Sequence, residues 1–249
     1  MLAFKEDLYN GLIVDREKID NNLSSFATNL ERLIVYAKNK RNNLIWLDLL
    51  SSQSQQIALA LERGFEFHNC EPHRTMLIYK INPKAYVPVS PSHTIGVGAV
   101  VINPKEELLM VRTHICNRDH SRYKLPGGML EHADRLIDGI EREVYEETGI
   151  RSRLIKMVSL LNAHPYRYNK SNIYIVFQLE ALSEEINIID THEIAEAIWM
   201  PLEHFFADER ISGFQKDLVQ QTMSCEGLKL LSGSSDRYFK DKKHVEVYG

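Results

Sequence analysis

Residues 128–150 read GMLEHADRLIDGIEREVYEETGI, and the stretch from Arg142 through Glu143, Glu146 and Glu147 to Gly149 decides how the chain is read. At about 100° per residue, a helix places Arg142, Glu143, Glu146 and Glu147 within an arc of about 140°. Ile137, Ile140 and Val144 form an apolar strip beside that arc, so one side can anchor the helix while the other presents oxygens. Like charges four residues apart, such as Glu143 and Glu147, cost an isolated helix about 0.2–0.5 kcal/mol. A hard divalent cation removes that repulsion, and oxygen donors select Mg2+, with Mn2+ as the alternative.

Just upstream, Leu125-Pro126-Gly127-Gly128 predicts a tight turn whose backbone approaches a ligand or metal closely. Asp134 precedes the helical pattern, where its carboxylate is suited to cap free amides or to sit at the positive end of the helix dipole. Gly139 falls among the acidic positions and leaves room over them.

With its spacing, this stretch resembles the Nudix hydrolase signature: Gly, five residues, Glu, seven residues, then Arg-Glu-U-x-Glu-Glu-x-Gly-U with U aliphatic. Here Gly128, Asp134, Arg142, Glu143, Glu146, Glu147 and Gly149 keep every interval, and Asp134 stands where the signature has glutamate. The resemblance implies a phosphoanhydride hydrolase with an α/β/α sandwich around a mixed sheet. It implies metal ligands at Glu143, Glu147, Glu146 and the Gly127 carbonyl. It also implies that Arg142 orients a glutamate and that Glu146 is a further ligand or the base. The base differs among members, so Glu193 and Glu196 on a later segment stay open as candidates.

Composition agrees with an enzyme of ordinary folded type: 249 residues, 44% hydrophobic, 26% charged, net charge −4. Mild acidity and the lack of a basic arm argue against a nucleic-acid partner. Cys70, Cys116 and Cys225 are too scattered for a disulfide framework or a thiolate zinc site, which fits a reducing compartment. With no leader-like start and no long apolar run, the expectation is a cytoplasmic protein that does not enter the membrane.

Three prolines, Pro83, Pro88 and Pro91, mark a linker and split the chain near residue 90. The expected division is residues 1–90 as a small α/β module, 91–230 as the Nudix domain and 231–249 as a polar tail. In the module, helices are expected over 21–39 and 53–63, with strands over 44–50, 65–69 and 76–81. Downstream, strands are expected over 94–103, 107–113, 154–161, 173–182 and 198–200, and helices over 203–206 and 214–223. The overall class is therefore α/β (α+β). Ile45-Trp46-Leu47, Gly64-Phe65-Glu66-Phe67-His68 and Glu71-Pro72 resemble the N-terminal module of the animal Nudix 6 type and its plant relatives. Its element order hints at part of an acetyltransferase-like fold without a pyrophosphate loop, so packing, homodimer formation or substrate covering is the expected role. His68 and His73 lack the company of metal ligands.

Substrate signals diverge. Pro165 lies sixteen positions after Gly149, where ADP-ribose-cleaving relatives tend to carry proline, and the plant resemblance adds NADH. Tyr166 follows at once, in a place that marks dinucleoside polyphosphate enzymes. Arg112, Arg122 and Lys124 lead into the glycine turn, and Arg167 follows Pro165; all are candidate phosphate contacts. That density keeps a diphosphoinositol polyphosphate substrate open. Another alternative is a nucleotide sensor that binds without cleaving, which the retained Glu143, Glu146 and Glu147 disfavour.

Overall fold

The structure is a computed structural model that describes residues 1–114, 123–231 and 245–249. The chain divides into two compact units, Met1–Pro91 and Ser92–Gly249.

In the first unit the elements are β1 (Phe4–Glu6), β2 (Gly11–Val14), α1 (Leu23–Lys40), β3 (Leu44–Leu50), α2 (Ser54–Glu62), β4 (Glu66–Glu71) and β5 (Arg74–Lys80). They build one sheet in the order β1-β2-β3-β5-β4. Only β2 and β3 run parallel, and α1 makes the crossover between them. Phe26, Leu30, Leu33 and Ala37 recur at helical spacing and are fully buried against Ile45, Leu47 and Leu49, the alternate residues of β3. The β1–β2 hairpin was not expected. Its strands are only three and four residues long, and its turn is closed by Asp7, whose Oδ1 accepts N–H bonds from Tyr9 at 2.8 Å and Gly11 at 2.7 Å.

The second unit comprises β6 (His93–Val101), β7 (Glu107–Thr113), α3 (Leu136–Thr148), β8 (Ser152–Ala163), β9 (Ser171–Ala181), β10 (Ile194–Pro201), α4 (Leu202–Ala207) and α5 (Gly213–Ser224). Strands β6, β9 and β8 form a mixed sheet, with β6 parallel and β8 antiparallel to β9. β7 pairs antiparallel with β10. Because successive strand residues face opposite sides, one run feeds two cores. Val97, Ala99 and Val101 of β6 and Phe177 of β9 pack with Ile140 and Val144 of α3. Val100 and Val176 face the other way, onto Phe205, Leu218 and Val219 of α4 and α5. This is the mixed sheet between helical layers that the signature implied.

Two expectations change in detail. The strand expected over 198–200 runs over Ile194–Pro201, which places Glu196 within it and Glu193 at its entrance. The segment expected as a polar tail is described only at its ends, and residues 245–249 return to the unit: Leu231 N–H donates to the Val247 carbonyl at 2.8 Å, and Lys229 and Gly249 exchange bonds of 3.0 Å.

Candidate active site

The helix α3 starts at Leu136 and ends at Gly149, whose φ of 74° closes it in the left-handed region. Ile140 and Val144 of its apolar strip are buried as expected while Ile137 is only half-buried, and the acidic face turns toward the glycine turn. That turn is built on close approach. Gly127 has φ 142°, and a Cβ there would lie 2.2 Å from the Val97 carbonyl oxygen; one on Gly128 would lie 2.4 Å from Oε2 of Glu143. Only glycine lets the backbone and the Glu143 carboxylate meet in this way.

Two cations organise the acids. Arg142 Nη1 lies 3.1 Å from Glu143 Oε1 and 3.0 Å from Glu146 Oε2, while Nη2 bonds Asp134 Oδ2 at 3.1 Å. Burial weakens the guanidinium's hold on its proton, but Asp134, Glu143 and Glu146 outweigh it and raise its pKa. Asp134 also accepts the Glu131 N–H at 3.0 Å; that bond first, and then Arg142, keep its carboxyl below the ordinary value. Asp134 is thus not the cap of α3 that its position suggested.

Lys124 holds the second half. Its Nζ is 2.9 Å from Glu147 Oε1, 3.3 Å from the Gly127 carbonyl oxygen and 3.7 Å from Glu193 Oε1. The other Glu147 oxygen accepts the Gly127 N–H at 2.7 Å. Glu147 is 4% exposed, and burial pushes its pKa up to about 7 against the lowering pull of Lys124 and the Gly127 N–H. Burial also raises Glu143, with Arg142 opposing. Lys124, expected on substrate phosphate, therefore stands among the groups expected to hold a cation.

Five carboxylates (Asp134, Glu143, Glu146, Glu147 and Glu193) here face two cations, Arg142 and Lys124. An all-oxygen donor set with surplus negative charge fits a hard divalent ion. Among the described residues no three of these groups already converge as a metal cage, because their oxygens are turned onto Arg142 and Lys124. Binding an ion requires these side chains to exchange partners.

Beside the cluster lies a cavity of about 530 Å³. Glu143, Gly127, Gly128, Lys124 and Glu193 form its polar side, while Tyr166, Arg167, Tyr174 and Phe214 wall it. The Arg167 guanidinium lies 5.8 Å from the Tyr166 ring centre. Pro165, reached through a cis peptide, is not among the lining residues. Arg112 does not line it either. Its Nη2 and Nε bond Glu196 Oε2 at 2.9 and 3.1 Å, and Tyr123 donates its hydroxyl to the same oxygen at 2.9 Å. Arg112 is tied up as a strand-to-strand pair, and Glu196, held below its usual pKa by Arg112 and Tyr123, is a poor proton acceptor. Arg122 lies outside the described residues.

Sequence reasoning missed Tyr174, Phe214, Gln215 and Asn172 on the cavity wall. Tyr174 sits in the strand expected over 173–182, where nothing singled it out. A signal was present in Gly96-Val97-Gly98: β6 pairs with β9 so that Gly96 lies opposite Tyr174, and a Cβ on Gly98 would come within 2.0 Å of the Tyr174 hydroxyl. The two glycines make room for that ring. Burial raises its pKa to about 12, and Glu147 and Glu143 add to the rise.

Two family profiles account for most of the chain: the NUDIX domain matches residues 92–222, and a Nudix hydrolase domain profile matches residues 2–81. The chain belongs to the Nudix hydrolases. Nudix hydrolase 8 of Arabidopsis thaliana is 34% identical over 216 residues, covering 86% of this chain and 58% of that protein. Nudix hydrolase 6 of the same plant is 32% identical over 203 residues, 80% of this chain and 71% of the relative. The human nucleoside diphosphate-linked moiety X motif 6 is 29% identical over 204 residues, 79% of this chain and 64% of that protein. The resemblance to the animal Nudix 6 type and to plant relatives therefore holds along both units. Among solved structures, the MutT protein of Methanosarcina mazei overlaps 54% of this chain and 95% of its own length at 27% identity, with a TM-score of 0.44. No helix among the described residues is long and apolar enough to cross a membrane.

Proposed function

We propose that this Nudix chain hydrolyses the diphosphate bond of a nucleoside diphosphate derivative, ADP-ribose or NADH, with Mg2+, giving AMP and a phosphorylated product. One observation carries the reading: Glu143, the Gly127–Gly128 turn and Lys124 line the same cavity of about 530 Å³ as the rings of Tyr166, Tyr174 and Phe214. A diphosphate fits the polar side, and flat groups fit the aromatic walls. The human relative's name, with its nucleoside diphosphate linked to a moiety X, supports the same class.

Glu143, Glu146, Glu147 and the Gly127 carbonyl would hold the metal. When bound, it neutralises phosphate oxygens and lowers the pKa of water. Arg142 orients Glu143 and Glu146 through its bonds to both carboxylates. Lys124, released from Glu147, would bind a phosphate oxygen, as would Arg167, which lines the same cavity. Glu193 lines the cavity and Glu146 does not, so Glu193 is the better placed to take the proton as water oxygen attacks phosphorus and the second phosphate leaves. Among the described residues the lining cations are Lys124 and Arg167, which match a diphosphate better than a multiply phosphorylated inositol. Free Cys70 and Cys225 support a cytoplasmic setting.

The test measures Mg2+-dependent AMP release from ADP-ribose, NADH, diadenosine polyphosphates and a diphosphoinositol phosphate, with Glu147→Gln alongside. Cleavage of ADP-ribose or NADH by the wild type alone is the expected result. Activity confined to the inositol compound overturns the substrate, and binding of ADP-ribose without AMP release makes the chain a sensor. Sedimentation of the same sample checks the homodimer.

A further inference from the structure

The helix that carries Glu143, Glu146 and Glu147 begins without a cap of its own. Arg135, its flanking residue, makes no side-chain capping bond to the helix amides and pairs with Asp138 at 3.9 Å, and Asp134 is committed to Glu131 and Arg142. The open amides are met from 110 positions away: Leu136 N–H donates to Glu246 Oε2 at 2.8 Å, and Ile137 N–H lies 3.4 Å from Glu246 Oε1. The Glu246 side chain is only 8% exposed, with Arg135 Nη2 at 3.5 Å from Oε1. A carboxylate so buried is costly unless its oxygens are satisfied. Here two amides, the positive end of the helix dipole and a guanidinium satisfy them.

Glu246 is also anchored on its own side. Val247 and Gly249 bond back to Leu231 and Lys229, Leu228 bridges to Met157 of β8, and Tyr248 packs 6.0 Å from Phe177 in the core beneath α3. One short segment thus grips both the sheet and the start of the acidic helix.

We propose that Glu246 is a positioning residue for the hydrolytic site: it fixes where α3 begins and thereby the level at which Glu143 and Glu147 meet the glycine turn. This rests on the function proposed above. The tolerance at that meeting is small. Glu147 bonds the Gly127 N–H at 2.7 Å, and the Glu143 carboxylate occupies the space that a side chain on Gly128 would take. A shift of the helix along its axis changes both contacts together, and misplaced metal-binding carboxylates lose rate rather than affinity for remote parts of the substrate.

The experiment compares the wild-type chain with Glu246→Ala, Glu246→Gln and, as control, Asn22→Ala, which removes the cap of α1 in the first unit. Three quantities are read: hydrogen exchange of residues 136–148, Mn2+ affinity by electron paramagnetic resonance, and kcat and KM on the diphosphate the wild type cleaves. Glu246→Ala is expected to speed exchange at the start of α3 about tenfold, weaken Mn2+ binding severalfold and lower kcat about tenfold with KM little changed. Glu246→Gln, which keeps an acceptor oxygen without the charge, falls between. Asn22→Ala loses stability and leaves all three unchanged. Faster exchange in Glu246→Ala with wild-type Mn2+ affinity and kcat overturns the proposal, because the cap would then be merely structural. Should the alanine variant not fold, the glutamine variant decides on the same criteria. If the wild type cleaves nothing, the function reading fails, and exchange with Mn2+ affinity still decides the role of Glu246.

Discussion

The helices α1 and α3 solve the same problem in opposite ways. α1 carries its own punctuation: Asn22 caps it by accepting the Ser25 N–H at 2.9 Å, and Lys38 and Lys40 sit in its last turn. α3 has neither device. Its acids crowd toward the carboxy-terminal half, where the dipole disfavours them, its neighbouring carboxylate Asp134 serves Arg142, and Glu246 supplies the cap from afar. A helix whose work is packing is finished locally. One that carries the crowded acids of the proposed metal site lacks a local cap and takes support from Arg142, Lys124 and Glu246.

The largest expected effect lies at the buried end of that arrangement. Glu147→Gln is expected to lower kcat by at least about 100-fold, since it removes a carboxylate from the proposed metal site. Steady-state kinetics with wild-type and variant protein check it, and a variant within a factor of about three of wild type would break the contrast with α1.

Next comes pH. Glu147 has a folded pKa of about 7 against an ordinary 4.5, so the folded state holds more protons between those values. Stability from this group is full below about pH 4.5 and is lost as pH rises through about 7, by up to about 3 kcal/mol. Metal-free denaturation from pH 5 to 8 is expected to show that downward slope, and Glu147→Gln to flatten it. Saturating Mg2+ is expected to offset the loss at pH 8.

Smaller again is the effect of the ammonium lodged among the acids. Lys124→Met removes the group that bridges Glu147 and the Gly127 carbonyl. Mn2+ binding is expected to tighten severalfold while the melting temperature without metal falls; weaker Mn2+ binding would show that Lys124 does not stand in the cation's way. The smallest effect belongs to α1. Asn22→Ala is expected to cost about 1 kcal/mol in urea denaturation and to leave the reaction untouched.

The acidic cluster was legible because Arg142, Glu143, Glu146 and Glu147 lie within one helical run, where periodicity alone puts them on one face, and Asp134 stands just before it. β3 and β7 were legible end to end, because apolar alternation bounded by turn residues has few other solutions. The β1–β2 hairpin was not, since strands so short carry no period and are held by a turn and a neighbouring strand. Arg112 shows a different kind of miss. A cation beside a glycine turn looks available for phosphate, and only the pairing of β7 with β10 brings Glu196 opposite it.

From residues alone came the family, the helix, the turn and the oxygen chemistry, for local spacing dictates which side chains share a face. Partner choice came only with the fold. Whether Lys124 meets phosphate or Glu147, whether Asp134 or Glu246 caps α3, and which ring fills the space over Gly96 and Gly98 depend on segments tens of positions apart in the chain. Short-range electrostatics and packing act across whatever distances the chain has closed, and that closure is a property of the assembled sheet and its two cores.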